Sequence, residues 1–338
     1  MDAEYDVIVV GAGMAGVTYA RTVHDAGQRV LLLERSRGLG GRMATRRNGD
    51  DVWDHGAQYF TVTHPDFHTL VTDWVDDDLA AIWQGRIYCW DGETLRESSR
   101  AIRYVGLPGM TALCKAMAEP LPCRLQCRVE ALERQDGLWR VRSGQSIWLA
   151  PRVVLAMPPE QAARLLPEEH PLLRHTTAAE MLPTWTLLMS FVSPPQLPFD
   201  GLFINREPLS WLADNASKPG RPASNDWVLH ASPAWSAAHL ALPAEEVAAL
   251  LEHAFLDLCE QLAPGVPVPA RQSMQAHCWR YARPAGQASA RAFLESADGL
   301  ALIGDWLQGG RVEGAFLSGV ALARQHCGLP ATLDEEEV

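Results

Sequence analysis

Apolar positions fall into two kinds of segment: short runs in which nearly every residue is apolar, and longer stretches with helical spacing. Tyr5–Val10 is a short β-rich run that ends in glycines, as a buried strand does. Met14–Ala26 fits a helix stopped by Gly27, and Arg29–Glu34 reads as a second buried strand ending in an acid. A loop rich in Gly and Arg follows, Ser36–Arg47. Phe67, Leu70, Val71 and Trp74 then recur at i, i+3, i+4 and i+7. This predicts a helix capped by Thr63 and closing in the acidic run Asp76–Asp78. Leu125–Arg134, the turn Asp136-Gly137 and Leu138–Arg142 predict a hairpin, with Val129 inside its first strand. Arg152–Ala156 is another buried strand, ended by Pro158-Pro159.

The texture changes between residues 160 and 285, which hold most of the prolines and five of the tryptophans. Thr184–Val192, Gly201–Asn205 and Trp227–Ser232 read as strands. Ala244–Leu262 is the longest helix candidate, with Val247, Leu250, Leu251, Ala254, Phe255 and Leu258 on one side. At Gly299 the opening style returns: strand Leu300–Ile303, turn Gly304-Asp305, helix Val312–Cys327. Asp334–Glu337 reads as a solvated acidic end. The order predicts an α/β dinucleotide domain begun at the N-terminus and finished near the C-terminus, with a second domain inserted between. No repeat or low-complexity linker marks the joins.

Composition narrows the function classes. With 47% hydrophobic and 21% charged residues in 338, the chain can bury a full core. A net charge of −12 argues against a nucleic-acid binder, though not against an anionic cofactor held by backbone N–H groups. No apolar run approaches the roughly 20 residues of a membrane span, and Met1–Asp6 has no basic n-region. The seven cysteines form no CxxC, and Cys123 and Cys127 lack the further pair a metal site needs. They read as reduced thiols of a cytoplasmic protein, with no metal bound. Most of the twelve tryptophans are core by default, although such residues also line pockets for flat ligands.

Gly11-Ala12-Gly13-Met14-Ala15-Gly16 is a GxGxxG placed after a strand and at the opening of a helix. Gly11 permits the tight turn, Gly13 a close approach of backbone to a pyrophosphate, and Gly16 close packing of helix on strand. Glu34 can accept from ribose hydroxyls and disfavours a 2′-phosphate, so FAD or NAD is the expected dinucleotide. Three further segments choose FAD. Arg37-Gly38-Leu39-Gly40-Gly41-Arg42 combines close backbone approach with cations for phosphate, though alone it could be a solvated loop. Asp54-His55-Gly56-Ala57-Gln58-Tyr59-Phe60 sets small, polar and aromatic groups together, as a flat ring needs; otherwise it is a strand end with a core aromatic. Gly304-Asp305 and Gly310-Arg311-Val312-Glu313-Gly314-Ala315 offer an Asp for ribitol hydroxyls and a helix N-terminus for the flavin edge that gains charge on reduction.

These blocks resemble the flavin-containing amine oxidase superfamily. Together with Ala216-Ser217-Lys218-Pro219, Tyr281-Ala282-Arg283-Pro284 and Gly304-Asp305-Trp306 they are similar to bacterial renalase-like proteins, over about Tyr5 to Cys327. The resemblance implies a Rossmann-type, glutathione-reductase-like FAD domain with an inserted α+β mixed-sheet substrate domain. We place the first at residues 1–66, 104–158 and 287–331, and the second at 67–103 and 159–286. The residues it implies at the FAD are Gly11, Gly13, Met14, Ala15, Gly16, Glu34, Arg35, Gly41, Arg42, Met43, Gly56, Ala57, Gln58, Tyr59, Val129, Ala156, Pro158, Gly304, Asp305, Arg311, Val312, Glu313 and Ala315. FAD is expected to be non-covalent, although some superfamily members carry a flavin-linking cysteine in a setting like that of Cys278. The implied activity is oxidation of misreduced 2- and 6-dihydro-NAD(P) to NAD(P)+, with dioxygen reoxidising the flavin to give hydrogen peroxide.

Transfer of a hydride to flavin needs little protein acid or base, so the site must mainly hold a planar ring. Tyr59, Trp185, Asn215, His230, Trp279, Tyr281 and Arg283 are the candidates for that wall. Asn215 or His230 could hold a nicotinamide carboxamide, and Arg283 could oppose substrate phosphate or flavin O4. A strand His is equally a satisfied core residue, and Trp185 could be plain core. An amine or amino-acid oxidase on the same scaffold is the alternative, and a FAD-bound protein without turnover a third. The oligomeric state is not legible.

Overall fold

The computed structural model describes residues 4–49, 51–286, 289 and 291–330. The acidic end Asp334–Glu337 lies outside them. Val7–Val10, Val30–Leu33, Arg152–Ala156 and Leu300–Ile303 pair in parallel, with Val7 level with Val30 and with Arg152. Cys123–Arg124 at one edge and the antiparallel Phe293–Glu295 at the other complete a six-stranded sheet. The four parallel central strands are apolar except at Arg152 because both faces are covered. Val7, Val9, Val30 and Leu32 face the helices Met14–Asp25, Thr111–Ala118 and Val312–Cys327. Ile8, Val10, Leu31 and Leu33 face a meander of Ala131–Gln135, Leu138–Ser143 and Ser146–Ala150.

A seven-stranded sheet forms the second layer system, in the order Arg271–Pro284, Met181–Phe191, Asp226–Ala231, Leu209–Asp214, Gly201–Ile204, Ile87–Trp90, Leu95–Glu97. Strand alternation gives it two characters. Trp185, Leu187, Leu229 and Cys278 pack toward the helix Ala244–Leu262. Thr186, His230 and His277 share one register line on the opposite face. That face meets the hairpin Thr45–Asn48 and Asp51–Asp54: Trp53 packs on Leu188 and Val228, and Val52 donates to Asp226. The helix Pro65–Asp76 sits on Val312–Cys327 through Phe67 and Phe316.

Two sequence expectations need correction. The hairpin begins at Ala131, not Leu125, so Val129 lies in a loop. Gln126 takes a left-handed φ of 54° and donates to Ser36 O, while Cys127 donates to Glu34 O, which holds this stretch along the end of the second strand. The cap of Pro65–Asp76 is His64, whose ring accepts from Asp66 N, while Thr63 turns to Glu313. The third meander strand and the long strand Arg271–Pro284 carried no readable signal. The latter is an edge strand with no fully buried residue, so its pattern is not apolar enough.

Candidate active site

The first glycine turn is built for close approach. Gly11 has φ +108°, and a Cβ there would lie 2.3 Å from Ala156 O. A Cβ on Gly16 would lie 2.0 Å from Gly11 O, whereas one on Gly13 would meet nothing within 4 Å. Gly13 is the N-cap of Met14–Asp25 and supplies no side-chain cap, so no side chain at the cap takes up the N–H groups that open this helix. This cradle fits a phosphate. Gly41 covers it, its own Cβ position 3.5 Å from Gly13 Cα, and Met43 is buried behind it. Glu34 accepts from Ala12 N at 2.9 Å and Ser36 N at 2.7 Å, leaving each oxygen a lone pair for a ribose hydroxyl. Glu34→Ala is expected to weaken FAD binding by about 1–3 kcal/mol, measured by titrating flavin back into stripped protein.

The second half of the cradle is tied by ion pairs. Arg42 donates to both oxygens of Asp305 and to Ala282 O, so these two charges face each other rather than a free phosphate or ribitol. Arg35 and Arg37 remain exposed beside the loop. Glu313 accepts from Thr63 N, Thr63 Oγ1 and His64 N, which clamps the start of Val312–Cys327 and occupies its carboxylate. The exposed N-cap Arg311 gives the first turn of that helix no side-chain cap, and the first backbone bond of the helix runs from Ala315 N to Arg311 O at 3.0 Å. Gly304 and Pro158 stand at the ends of neighbouring strands, Pro158 as N-cap of Pro159–Ala163. Gly56 must be glycine, since a Cβ would lie 1.9 Å from Arg42 O, and Ala57 N donates to that same carbonyl.

Beneath Gly56 and Ala57 lies a buried ionic network that sequence reasoning missed. Asp54 accepts from Thr45 Oγ1 at 2.7 Å, Met110 N at 3.0 Å and both Nε and NH2 of Arg221. Lys218 Nζ donates to Gln58 Oε1 at 3.0 Å and Asn215 Oδ1 at 3.1 Å, and stands 3.8 Å from Asp54. Burial pushes Lys218 down to about 7. Burial alone would raise Asp54, but Lys218 and Arg221 hold it below the usual carboxylate range. The only signal was charge inside otherwise family-like blocks.

The candidate wall residues separate. His230 and Trp279 stand against His55, four residues before Tyr59: Trp279 Nε1 donates to His55 O at 2.9 Å, and its ring lies 4.8 Å from that of His55. Burial lowers His230 to about 4 and His55 to about 3, so both are neutral at pH 7. Thr186 Oγ1, His230 Nε2 and Trp211 Nε1 are buried without partners. Two candidates do not belong to this wall. Trp185 faces the helix side and donates to His239 O, the core alternative. Asn215 is 1% exposed and holds Val52 O, Asp54 N and Lys218, so its amide is buried among the fold's own groups rather than turned to the wall. Tyr281 bonds Arg164 at 3.3 Å at the margin, and Arg283 is exposed. Among the described residues no His, Cys, Asp and Glu cluster could hold a metal ion, and no helix is long and apolar enough to cross a membrane.

Comparison with known proteins agrees with this geometry. Residues 86–325 match the family model described as flavin containing amine oxidoreductase, and residues 9–76 that of an NAD(P)-binding Rossmann-like domain. A putative protoporphyrinogen oxidase from Exiguobacterium sp. 255-15 superposes with TM-score 0.75 at 16% identity, covering 97% of this chain and 99% of that one. Cyclohexylamine oxidase from Brevibacterium oxydans IH-35A gives TM-score 0.73 at 15% identity, covering 96% and 99%. At these identities the likeness is one of fold. An L-amino-acid oxidase of Siganus canaliculatus is 43% identical over 63 residues, and one of Echis ocellatus 37% over 70. The matched stretches span 18% and 21% of this chain but only 12% and 14% of those proteins' lengths.

Proposed function

The chain belongs to the flavin-containing amine oxidoreductase family, and from that premise we propose that it is a renalase-like FAD-dependent oxidase converting 2- and 6-dihydro-NAD(P) to NAD(P)+. FAD, when bound, supplies the two-electron acceptor for the donor's hydride and passes the electrons to dioxygen, giving hydrogen peroxide. The observation that carries the substrate reading is the chemistry of the wall beside Tyr59. Its cations, Lys218 and Arg103, lie over the rings of Trp83 and Tyr59, its histidines are neutral, and Asp54 is already matched by Arg221 and Lys218. A protonated amine finds the acid of this network, Asp54, already neutralised by two cations. A flat ring can stack on Tyr59 or Trp279 and set its polar edge against His230 Nε2 and Thr186 Oγ1, which lack partners. Anaerobic mixing with the dihydro isomers, monoamines and L-amino acids tests this, with loss of the oxidised flavin band as readout.

Oxidation of an amine or amino acid is the second reading, favoured by the printed activities of the relatives and structural neighbours. Two further expectations go with the first. All seven cysteines are free thiols, which fits a reducing compartment, and we place the protein in the cytoplasm. Cys278 packs toward the helix Ala244–Leu262, the face turned away from Tyr59 and His230, which supports non-covalent FAD. Flavin is expected in the supernatant after acid precipitation, in wild type and in Cys278→Ser alike. Flavin that stays in the wild-type pellet and leaves it in the variant would overturn this.

A further inference from the structure

We propose that Arg103 and Trp211 form an anion-reading subsite beside Tyr59, which seats the negatively charged group of the substrate. This rests on the reading that substrate is oxidised on the Tyr59 side of the cradle. Arg103 is 7% exposed. Its guanidinium donates to Ser99 O at 3.3 Å, Ala101 O at 3.1 Å and Ser98 Oγ at 3.0 Å, all neutral acceptors. Its Nε–H, also buried, has no partner. No ion pair among the described residues includes it, in contrast to Arg42, Arg221 and Arg324. A buried cation without a counter-charge is costly, and an incoming anion relieves that cost.

Trp211 supplies the second half of the argument. It is 5% exposed and its Nε1–H is likewise unpartnered. The indoles of Trp53, Trp83, Trp139, Trp185 and Trp279 all donate to an oxygen, and among the described residues Trp306 is the other buried indole left without a partner, away from Tyr59 in the core beside the meander. Arg103 and Trp211 surround the same two rings. The guanidinium lies 5.3 Å from the Tyr59 centroid and 6.0 Å from that of Phe203, and the Trp211 ring lies 5.7 Å and 4.6 Å from them. Both orphaned groups are donors only, so an acceptor alone satisfies them, and the guanidinium makes an anionic acceptor the best fit. A phosphate on a dihydronicotinamide nucleotide and the carboxylate of an α-amino acid share this chemistry.

The test compares donors that differ only in the anion, using the flavin-loaded enzyme under argon. One pair is dihydronicotinamide mononucleotide against the riboside, and the other is L-leucine against isoamylamine. In wild type the anionic member of the reactive pair is expected to have the higher kcat/KM by about ten- to a hundredfold. Arg103→Met should abolish that preference, lowering kcat/KM for the anionic member far more than for its neutral partner. Arg103→Lys should keep part of it, and Trp211→Phe should reduce it. The pair that responds identifies the anion as phosphate or carboxylate. Equal slowing of both members by Arg103→Met would mean that Arg103 only shapes the loop 98–102, and no change would mean it is not at the site. Either result overturns the proposal. If Arg103→Met does not fold, Arg103→Lys and Trp211→Phe carry the same comparison. If no donor reduces the flavin, the oxidase reading fails separately. A titration with inorganic pyrophosphate, followed by the flavin spectrum, then decides the subsite: saturable in wild type and at least tenfold weaker in Arg103→Lys if the proposal holds, absent or unchanged if not.

Discussion

Replacing Asp54 with Ala should lower the free energy of unfolding by about 3–5 kcal/mol, the cost of leaving buried cations without their partner. Asp54 is the common counter-charge of Arg221 and Lys218, and both of those side chains are fully buried. Its removal also strips an acceptor from Thr45 Oγ1 and Met110 N. Lys218 would pull away from the segment it supports through Gln58, so bound flavin should fall as well. Urea midpoints at several pH values measure this. The sign of the pH dependence follows from Lys218, which burial holds near 7 in the folded protein against a normal 10.5. Between those values the unfolded chain binds the extra proton, so this group's contribution is complete above 10.5 and is lost as pH falls toward 7. Wild-type stability should therefore rise from pH 7 toward 9. Without Asp54 the lysine falls further, and the rise begins below pH 7. A variant within about 1 kcal/mol of wild type would refute the counter-charge role, because a buried partner's loss cannot be that small.

How much could be read beforehand depended on how local each feature is. The first glycine turn occupies a few consecutive residues, and a tight turn, an uncapped helix start and an acid after the next strand each leave a fixed mark, so the strand–turn–helix at Gly11 to Gly16 and the place of Glu34 were legible as local structure. The strands Arg152–Ala156 and Leu300–Ile303 and the helices Ala244–Leu262 and Val312–Cys327 were legible too, because full burial or a long amphipathic face writes a strong pattern. The substrate wall is different. On the strand Met181–Phe191 a shift of one position exchanges the faces, and it is Thr186, not Trp185, that stands beside His230. The union of Asp54, Lys218 and Arg221 joins residues far apart in the chain, and no spacing rule links them. Asn215 was drawn from the right block for the wrong task, since its amide holds backbone rather than ligand. Arg103 sits at the end of a short polar stretch, where an arginine normally signals only solvent.

The 2- and 6-dihydro isomers of NAD(P) should reduce the flavin faster than ordinary 4-dihydro NADH by on the order of a hundredfold, the usual penalty for a displacement of about an ångström at the reacting atom. The wall allows little adjustment to recover that loss. Trp279 is tied to His55 O, and Tyr59 is wedged against Trp83 and Trp211 at ring separations of 6.2 Å and 5.7 Å. His230, half-buried on a central strand, is held neutral by the desolvation of its ring. A nicotinamide ring whose carboxamide sits against His230 and Thr186 is restrained in its plane, and positions 2 and 6, which flank the ring nitrogen, lie in the half of the ring away from position 4, which stands opposite that nitrogen. Neutral histidines and the nearby cations give a monoamine no comparable anchor, so monoamines should be slower still. Rapid mixing under argon, following the oxidised flavin band, ranks the donors directly. Fast bleaching by monoamines or L-amino acids, with no response to the 2- and 6-dihydro forms, would replace the dihydronicotinamide reading by the amine-oxidase one. Equal rates for all three isomers would keep the substrate class but show that the wall does not fix the ring.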